Sequence, residues 1–579
     1  MSSRRVFRLA MACCVATLLS AIWPATATPP NIVLILTDDL GWGDLACHGN
    51  PVIETPSIDQ LLDHGAELTR FYVSPVCSPT RASLMTGRYN YRTRVIDTYR
   101  GHSMMDTDEV TVAELLRDAG YATGIFGKWH LGDNYPLRPQ DQGFDRTVVF
   151  HGGGLCQPSD PPENRGVYTN PTLWRNGQQF VADGYCTDVF FNEALAFIRE
   201  SIRVQQPFFA YVSTNAPHGP YHDVPEQLYK KYKSKDLSQV VQGNEKMIDR
   251  TSRTFAMIEN IDENVGKLRA QLKELGVAED TIVIFMSDNG PQDARYVGNR
   301  RGVKGQVLEG GVISPFIVEW PGHVRPGHRD DRLAAHIDML PTLLEIAGGS
   351  PPEDLKLDGR SLVPLLTQQN AEWPDRSVVI QSHRGAQPVA GHNMTVIEQQ
   401  WKLVRASGFG RFQPSDDAPF QLYDVASDPR ESNDLSKQQP EVFQRLRQHY
   451  GSWFDDVSTT RADNYAPPRM VIGSDQQTVT TLTRQDWQSV GSGWGNQGEW
   501  LLRAEAPGVV DVEAIYLKPV EGEATLTLGS TELKQRVDTT TTAVVFRDVA
   551  IPVGDFSLRF ELAQGDEFLA PYHLRVTKK

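Results

Sequence analysis

The chain contains a series of short, predominantly apolar segments separated by segments with helical periodicity. The apolar segments are NIVLIL (31–36), ATGIFG (122–127), PFFAYVS (207–213), TIVIFMS (281–287) and PFIVEW (315–320). Each has the length and composition of a buried strand. Between them, TVAELLRDAG ends at Gly120, where a helix C-cap is expected, and apolar residues recur at helical spacing from Thr254 to Leu275. This alternation predicts an α/β fold with a largely parallel central sheet flanked by helices.

Near residue 460 the periodicity changes. Beyond the polar stretch STTRADNYAPPR, the segments VVDVEAIYL, EATLTLG, TAVVF and DFSLRFEL alternate apolar with polar residues. A period of two predicts strands with one buried face. We therefore predict a main domain at 28–457, a linker at 458–471 and an all-β, sandwich-like domain at 472–579. No reactive cluster stands out in the last domain, so carbohydrate binding and packing against the main domain both stay open as its role.

The N-terminus has the organisation of a targeting segment. Arg4, Arg5 and Arg8 precede an apolar run that ends at Trp23, and the small residues Ala-Thr-Ala follow at 25–27. This pattern predicts a cleaved signal peptide at 1–27 and export to the periplasm or the extracellular space, by the twin-arginine or the ordinary secretory route. The run is short for a bilayer span and none of comparable length recurs, so no transmembrane segment is predicted.

The charge balance argues against nucleic acid as a partner. The formal net charge is −15, and loss of three arginines and no acidic residue with the signal peptide moves it to −18. An acidic surface repels a polyanion. Any anionic substrate must therefore be held by a local cluster of positive side chains.

The cysteines left after cleavage are Cys47, Cys77, Cys156 and Cys186, and none belongs to a CxxC pair. Two disulfides are arithmetically possible. We predict the simpler arrangement, in which Cys156 pairs with Cys186, Cys47 is a buried thiol and Cys77 is kept for chemistry.

Acidic side chains directly follow two of the predicted strands. Asp38 and Asp39 come after NIVLIL, and Asp288 and Asn289 come after TIVIFMS. Each pair by itself is typical of a turn or helix cap. The carboxyl ends of parallel strands gather at one edge of a sheet, however, so the two pairs together indicate one metal site. Their hard oxygen ligands suit Ca²⁺ or Mg²⁺ and are wrong for a structural zinc.

The stretch PVCSPTRASLMTGRY (75–89) places a cysteine at the start of a predicted helix. Ser78 can cap that helix, Pro79 suits its first turn and Arg81 lies one turn in. A helix N-terminus and a guanidinium favour an oxyanion and would lower the pKa of the Cys77 thiol. The alternative is an ordinary capped helix with a buried thiol.

Further cationic residues follow other strands. GKWHLG (127–132) carries Lys128 and His130, which alternate as in an extended segment and so point to one side. NAPHGPY (215–221) holds His218 between prolines, and the glycine-rich NRRGVKGQVLEGG (299–311) carries Lys304. A loop histidine or a glycine-rich turn is commonly structural only, but here rigid flanks position the side chains as an acid catalyst requires.

The order of these motifs resembles that of the sulfatase family in the alkaline-phosphatase-like superfamily. Asp38-Asp39, CSPTR, GKWHLG, PHGP, DNG and RGVKG…EGG occur in the family's order, and the similarity extends from about residue 30 to about residue 455. It implies the alkaline-phosphatase-like sulfatase fold and a sulfuric ester hydrolase of the arylsulfatase type. The C-terminal β domain lies outside it.

The resemblance implies a modified residue and a metal ion. In this family a maturation enzyme oxidises the cysteine of Cys-x-Pro-x-Arg to formylglycine, which here is Cys77. One oxygen of the hydrated aldehyde would attack sulfur and expel the alcohol, and the second would then expel sulfate. Asp38, Asp39, Asp288 and Asn289 would hold Ca²⁺, or less expectedly Mg²⁺, together with residue 77.

The remaining motif residues receive roles from the same resemblance. Arg81 would steady the nucleophile, and Lys128 and Lys304 would bind sulfate oxygens. His130 would hydrogen-bond the hydrated aldehyde, and His218 would protonate the leaving oxygen.

The implied substrate is a sulfated carbohydrate or an aryl sulfate. Loops at 98–105 and 150–160 are expected to set specificity. A phosphate or phosphonate ester hydrolase of the same superfamily is the alternative enzyme. A carbohydrate-binding protein with a degenerate sulfatase core is the non-enzymatic alternative, and the complete motif set argues against it.

Overall fold

The computed structural model describes residues 29–368, 371–490 and 493–579, so the predicted signal peptide lies outside the described residues. None of the helices described there is long and apolar enough to cross a membrane. The helices are α1 (Pro56–His64), α2 (Cys77–Thr86), α3 (Val112–Asp118), α4 (Cys186–Arg203), α5 (Glu226–Lys233), α6 (Glu245–Glu274), α7 (Glu309–Val312), α8 (Met339–Ile346), α9 (Val363–Thr367) and α10 (Pro440–Val457).

The strands fall into an N-terminal and a C-terminal group. The first group is β1 (Asn31–Thr37), β2 (Ala66–Leu68), β3 (Phe71–Tyr72), β4 (Ala122–Lys128), β5 (Arg146–Phe150), β6 (Thr172–Arg175), β7 (Gln178–Val181), β8 (Phe208–Ser213), β9 (Thr281–Ser287), β10 (Ile313–Ser314), β11 (Phe316–Glu319), β12 (His328–Asp330), β13 (Ala334–Ala335), β14 (Val378–Gln381), β15 (Met394–Ile397), β16 (Trp401–Arg405) and β17 (Gln421–Asp424). The second is β18 (Met470–Val471), β19 (Val479–Thr483), β20 (Gln488–Ser489), β21 (Gly498–Ala504), β22 (Gly508–Leu528), β23 (Thr531–Ile551), β24 (Gly554–Gln564), β25 (Glu567–Leu569) and β26 (His573–Lys578).

A ten-stranded sheet forms the centre of the described N-terminal part, in the order β12-β2-β11-β9-β1-β8-β4-β5-β6-β7. Its middle strands β9, β1, β8, β4 and β5 are parallel, whereas β11, β6 and β7 pair antiparallel with their neighbours. Every predicted apolar segment forms one of these strands. The predicted α/β class with a largely parallel centre is confirmed.

The central sheet is covered by helices on both faces, as its apolar composition requires. Alternate residues of β1 enter different cores: Val33 and Ile35 pack with α1, α4 and α6, whereas Ile32 and Leu34 pack with α2, α3 and α8. This alternation follows from the two-residue period of a strand. Burial on both faces explains why the strand is apolar from Ile32 to Leu36, between Asn31 and Thr37 at its ends.

The helix predicted from Thr254 to Leu275 is longer than its apolar pattern indicated. It begins at Glu245, where the Asn244 side chain accepts hydrogen bonds from the amides of Lys246 and Met247. An Asn N-cap satisfies donors that the helix itself leaves free. The first two turns are largely exposed, so they carry no apolar period.

Two smaller sheets complete the N-terminal part: β10-β3-β13, and the antiparallel β14-β15-β16-β17 against which α10 packs. The C-terminal strands form one antiparallel-dominated sheet around a separate core. In it, the 21-residue strands β22 and β23 pair together, while the other edge of β22 pairs first with β26 and then with β24. The all-β, sandwich-like prediction is therefore confirmed, whereas the domain limits at 457 and 472 stay predictions.

The C-terminal core is shared with the N-terminal part. Met104 and Leu137, each 1% exposed, belong to the same hydrophobic cluster as Trp487 and Trp500. Asn134 donates from its side-chain amide to the Thr481 carbonyl at 2.9 Å. The β domain is thus joined to the α/β domain through a continuous apolar core.

The predicted Cys156–Cys186 disulfide is wrong. Both thiols are free: Cys156 is exposed in the loop after β5, whereas Cys186 begins α4 and is fully buried in the core beneath it. The first turn of α4 holds Cys186 among apolar side chains, away from solvent and from the exposed loop. Cys47, predicted to be buried, is half-buried.

Candidate active site

The two acidic strand ends meet at one edge of the central sheet. β1 and β9 pair in parallel along their whole length, which places Asp38 and Asp39 beside Asp288 and Asn289. Asn289 Nδ2 donates to Asp39 Oδ1 at 2.8 Å, and the Asp39 amide donates to Asp288 Oδ1 at 3.4 Å. All four residues are at most 1% exposed. The register between β1 and β9 therefore brings the three carboxylates and the amide of Asn289 into one cluster.

Three oxygen atoms of this carboxylate cluster have no hydrogen-bond partner within the described residues. They are Asp38 Oδ1, Asp39 Oδ2 and Asn289 Oδ1, and all three are buried. A buried polar atom without a partner is costly. The oxygens are hard donors of the kind that Ca²⁺ and Mg²⁺ prefer, so the residues fit such a cation. The side chain of His218 also lies here, with Nε2 3.8 Å from Asp39 Oδ2.

Burial and two neighbouring lysines shift the pKa values of the three carboxyl groups in different directions. Burial raises the pKa of Asp38 despite Lys128, whose Nζ lies 2.6 Å from Asp38 Oδ2. Burial also opposes ionisation of Asp39, but Lys304, with Nζ 2.6 Å from Oδ1, holds the pKa of Asp39 below its usual value. Burial and the charge of Asp38 raise the pKa of Asp288 to about 6.

Cys77 is the first residue of α2. Its thiol lies close enough to the carboxylates of Asp38 and Asp288 for their charges to act on it. The Val76 residue occupies the N-cap position without a side-chain cap. The prediction that Ser78 caps the helix is therefore wrong: Ser78 lies inside the first turn, and its buried hydroxyl has no partner within the described residues. The expected lowering of the Cys77 pKa is also wrong, because desolvation of the 3% exposed thiol raises the pKa in spite of Lys128 and Lys304.

His130 contacts the Cys77 thiol. Its Nε2 lies 2.9 Å from the Thr98 carbonyl oxygen, which can only accept, so Nε2 carries the proton. Nδ1 is then the acceptor, and it lies 3.3 Å from Cys77 Sγ. The predicted extended alternation of Lys128 and His130 is wrong, because Lys128 ends β4 and His130 has φ 61°. Both side chains nevertheless reach the site.

Arg81 fixes one of the acidic residues. Its Nε and Nη2 donate to Asp288 Oδ2 at 3.0 and 2.7 Å. Nη1 donates to the Lys128 carbonyl at 2.9 Å and to Ser213 Oγ at 2.5 Å. The guanidinium is 1% exposed. With four hydrogen bonds, the buried guanidinium ties together the carboxyl ends of β4, β8 and β9.

His218 and Lys304 come from loops that follow β8 and β9. His218 Nδ1 lies 2.7 Å from the Gly219 carbonyl oxygen, so Nδ1 carries a proton and Nε2 faces Asp39. Burial and Lys304 lower the pKa of His218 to about 4. The backbone amide of Lys304 donates to the Pro291 carbonyl at 2.9 Å, which ties its glycine-rich loop to the segment after Asn289.

These side chains line a cavity of about 460 Å³. Four of the lining residues belong to the motifs: Cys77, His130, His218 and Lys304. The other lining residues are Val76, Thr98, Tyr99, Gln157, Gln292, Gly305, Arg384, Phe409, Gly493 and Trp494. Thr98 and Tyr99 belong to the loop 98–105, and Gln157 belongs to the loop 150–160. The cavity is open to a substrate larger than a sulfate group.

Comparison with known proteins decides the family. A model of the sulfatase domain matches residues 30–350, and a model of the C-terminal part of N-sulphoglucosamine sulphohydrolase matches residues 304–452. The chain belongs to the sulfatase family. The expected family is thereby confirmed.

Several characterised sulfatases are similar to this one. N-acetylgalactosamine-6-sulfatase of Rattus norvegicus is 34% identical over 59% of this chain and 66% of its own length. Arylsulfatase A of Homo sapiens is 35% identical over 59% of this chain and 68% of its own length. The crystal structure of Ps i-CgsB in complex with k-i-k-neocarrahexaose has a TM-score of 0.62 at 27% identity, covering 75% of this chain and 99% of that one.

Two site residues of this sulfatase were missed by sequence reasoning. Ser213 accepts from Arg81 and donates to the Lys128 carbonyl at 2.8 Å. Its position at the carboxyl end of a buried strand could have indicated it, as it did for Asp38. Gln485 of the β domain donates to the Thr98 carbonyl at 2.7 Å and lies 3.3 Å from His130 Nε2. No motif in the sequence marks it.

Proposed function

We propose that this member of the sulfatase family is an exported, formylglycine- and calcium-dependent enzyme that hydrolyses sulfate monoesters. One observation carries the proposal. The Cys77 side chain, at a helix N-terminus and against His130, shares a cavity with His218 and Lys304 beside a cluster of buried carboxylates. That arrangement provides a nucleophile position, an anion site and a proton donor in one place.

The proposed metal ligands are Asp38, Asp39, Asp288, Asn289 and the modified residue 77. Unpaired buried oxygens on three of them support this set. A bound Ca²⁺ supplies positive charge that stabilises negative charge developing on the sulfate group. Arg81 keeps Asp288 in place through its two hydrogen bonds, so it acts on the ligand set as well as on the local charge.

Cys77 is proposed to be converted by a maturation enzyme to formylglycine. The hydrated aldehyde supplies the attacking oxygen and the second hydroxyl through which sulfate is released. His130 is suited to orient that group, because Nε2 is held by Thr98 and Nδ1 is left as an acceptor toward residue 77. A thiol whose pKa is raised by burial is poorly suited to attack sulfur unmodified.

Lys128 and Lys304 are proposed to bind the sulfate oxygens. Each is paired with one carboxylate, at 2.6 Å, so its ammonium is fixed at the rim of the cluster with further hydrogens free to donate.

His218 is proposed to protonate the leaving oxygen from Nε2. The negative charge of a bound sulfate ester adds to that of Asp39 in favouring a proton there.

A sulfated glycan is the proposed natural substrate, with aryl sulfates as further substrates. Two relatives are named N-acetylgalactosamine-6-sulfatase and arylsulfatase A, and the similar crystal structure is a complex with k-i-k-neocarrahexaose. A cavity that continues beyond the sulfate-binding residues accommodates a sugar. Signal cleavage after residue 27 and delivery to the periplasm or outside are part of the same proposal, as is the organisation into 28–457, 458–471 and 472–579.

The decisive experiment combines mass mapping with a substrate comparison. Protein coexpressed with a formylglycine-generating enzyme should contain the aldehyde at residue 77 and should hydrolyse nitrophenyl sulfate faster than nitrophenyl phosphate. Sulfate leaves as a stable dianion, whereas the corresponding phosphate group carries more charge and leaves more slowly. Full activity with an unmodified Cys77 would contradict the mechanism, and faster phosphate hydrolysis would favour the phosphate ester alternative.

A further inference from the structure

One side of the cavity is formed by residues to which the proposed mechanism gives no role. Tyr99, Arg384, Phe409 and Trp494 line the same space as Cys77 and Lys304. Trp494 lies in the C-terminal β domain, outside the matched family models. The guanidinium of Arg384 and three aromatic rings thus lie in the same cavity as Lys304, which is proposed to bind sulfate.

Arg384 is held in place without using all its donors. Its guanidinium carbon lies 4.3 Å from the Tyr99 ring centroid and 4.6 Å from that of Phe409. Nη1 donates to Asp97 Oδ1 at 2.5 Å and to Thr98 Oγ1 at 2.8 Å. Nε and Nη2 form no hydrogen bond within the described residues, and the side chain is 28% exposed. A fixed guanidinium with free N–H groups can pair bidentately with an anion.

Trp494 lies in a turn between two glycines. Gly493 and Gly495 flank it with φ of 64° and 63°, a conformation that glycine adopts without strain. The Trp494 carbonyl accepts from Trp487 Nε1 at 2.9 Å, and Trp487 is completely buried in the β-domain core. The half-buried Trp494 ring meets Tyr99 edge-on, with centroids 5.0 Å apart. The indole is therefore positioned by the β domain at the cavity wall.

We propose that Trp494, Tyr99 and Arg384 form a second subsite, which binds a saccharide unit carrying an anionic group additional to the scissile sulfate. The inference rests on the proposed function and narrows its substrate to acidic glycans. The indole supplies an apolar face against which a sugar ring packs. The free edge of Arg384 pairs with a carboxylate of that saccharide unit, as in a hexuronate. The β domain is then part of the substrate site.

The test measures competition with nitrophenyl sulfate hydrolysis, so it does not require that the competing saccharide be turned over. The competitors are sulfated disaccharides that contain a hexuronate, each prepared with the free carboxylate and as its methyl ester. For the best competitor of the wild-type enzyme, the acid should inhibit about tenfold more strongly than the ester, since a charge-assisted pair is lost in the ester.

Two variants locate the effect. Arg384→Gln should reduce the acid-to-ester ratio to below about twofold, because only the acid pairs with the guanidinium. Trp494→Ala should weaken both competitors about tenfold, and by more than it changes the KM for nitrophenyl sulfate. Arg447→Gln, which removes an exposed arginine that also stacks on aromatic rings, and Phe568→Ala, at an exposed β-domain position, are matched controls that should keep the wild-type values.

The outcomes separate the two proposals. If the modified wild-type enzyme does not hydrolyse nitrophenyl sulfate, the proposed function fails and the subsite with it. If it does, but no acid competes better than its ester, the subsite is refuted while the sulfatase activity stands. An equal loss of all substrates and competitors in Trp494→Ala would assign that residue a structural role and likewise refute the subsite.

Discussion

Gln485 of the β domain and His130 of the active site share one hydrogen-bond acceptor, the carbonyl oxygen of Thr98. Gln485 Nε2 donates to it at 2.7 Å and His130 Nε2 at 2.9 Å. Because a carbonyl oxygen has two lone pairs, both bonds are satisfied together. A side chain more than three hundred residues away along the chain thus helps to fix the histidine that contacts Cys77.

The first prediction tests Gln485 as a positioning residue. Gln485→Ala should lower kcat about fivefold with little change in KM, because one hydrogen bond of about 1 kcal/mol is removed from the support of His130. Steady-state kinetics with nitrophenyl sulfate measures the split. Gln477→Ala is the matched control, since Gln477 also bonds across the domain junction, to Asn134 and Tyr135, without touching the site. Equal defects in both variants would indicate a general loosening of the junction.

The second prediction concerns the metal ligands. Asp39→Asn should lower calcium content and activity together, the latter by more than about 100-fold, because loss of even an outer-shell partner of a metal ligand costs 10- to 100-fold. Elemental analysis of the purified protein and hydrolysis of nitrophenyl sulfate measure the two effects. Asp63→Asn, on an exposed position of α1, controls for the loss of one negative charge. Zinc in the wild-type protein, or unchanged calcium in Asp39→Asn, would count against the site.

The third prediction concerns the proton donor. His218→Ala should slow hydrolysis of a sugar sulfate about 100-fold, and that of nitrophenyl sulfate much less, because nitrophenolate leaves without protonation. The ratio of the two kcat/KM values is the measurement. His222→Ala removes an exposed histidine of the same loop and should change neither value. Equal losses on the two substrates would show that His218 does not act as the acid.

The fourth prediction is that the β domain cannot be removed. If the β domain served only to target polymers, as one reading of the sequence allows, a chain truncated after about residue 465 would keep most of its aryl sulfate hydrolysis. Truncation exposes Met104 and Leu137, each of which contributes about 1.5–3 kcal/mol through burial in the shared core. We therefore expect the truncated chain to be insoluble or to unfold at a much lower temperature. A soluble monomer with the full-length unfolding midpoint would contradict the shared core.

The fifth prediction is a pH dependence of stability at the domain junction. Burial raises the pKa of Asp133 to about 7, and burial together with Asp133 raises the pKa of Asp486 well above its usual value. The folded chain binds these protons more tightly than the unfolded chain, so the pair destabilises the fold increasingly as the pH rises from about 4 through 7. Asp486→Asn should therefore raise the unfolding midpoint by several degrees more at pH 8 than at pH 5.

Thermal unfolding followed by circular dichroism across this pH range measures the effect. Asp566→Asn, at an exposed turn of the same domain, should show no such trend. A midpoint difference that does not vary with pH would mean that folding does not raise the pKa values of Asp133 and Asp486.

The amino-acid sequence alone predicts the fold class, five strands of the central sheet and the motif residues. Buried strands must be apolar until they end, so the polar residue that follows each strand is visible in the chain, as at Asp38 and Asp288. The resemblance to sulfatases rests on such local motifs.

The contribution of the β domain to the site and the environments of the thiols depend on tertiary contacts. Gln485 contacts Thr98 and His130, and Trp494 lines the cavity, because the core of the β domain packs against the α/β domain. No local sequence pattern encodes these long-range contacts. The pKa of Cys77 rises because desolvation outweighs the helix N-terminus and two lysines, a balance that depends on how deeply the thiol is buried. Cys156 and Cys186 stay apart for a similar reason: burial of one and exposure of the other are set by packing, which residue spacing does not specify.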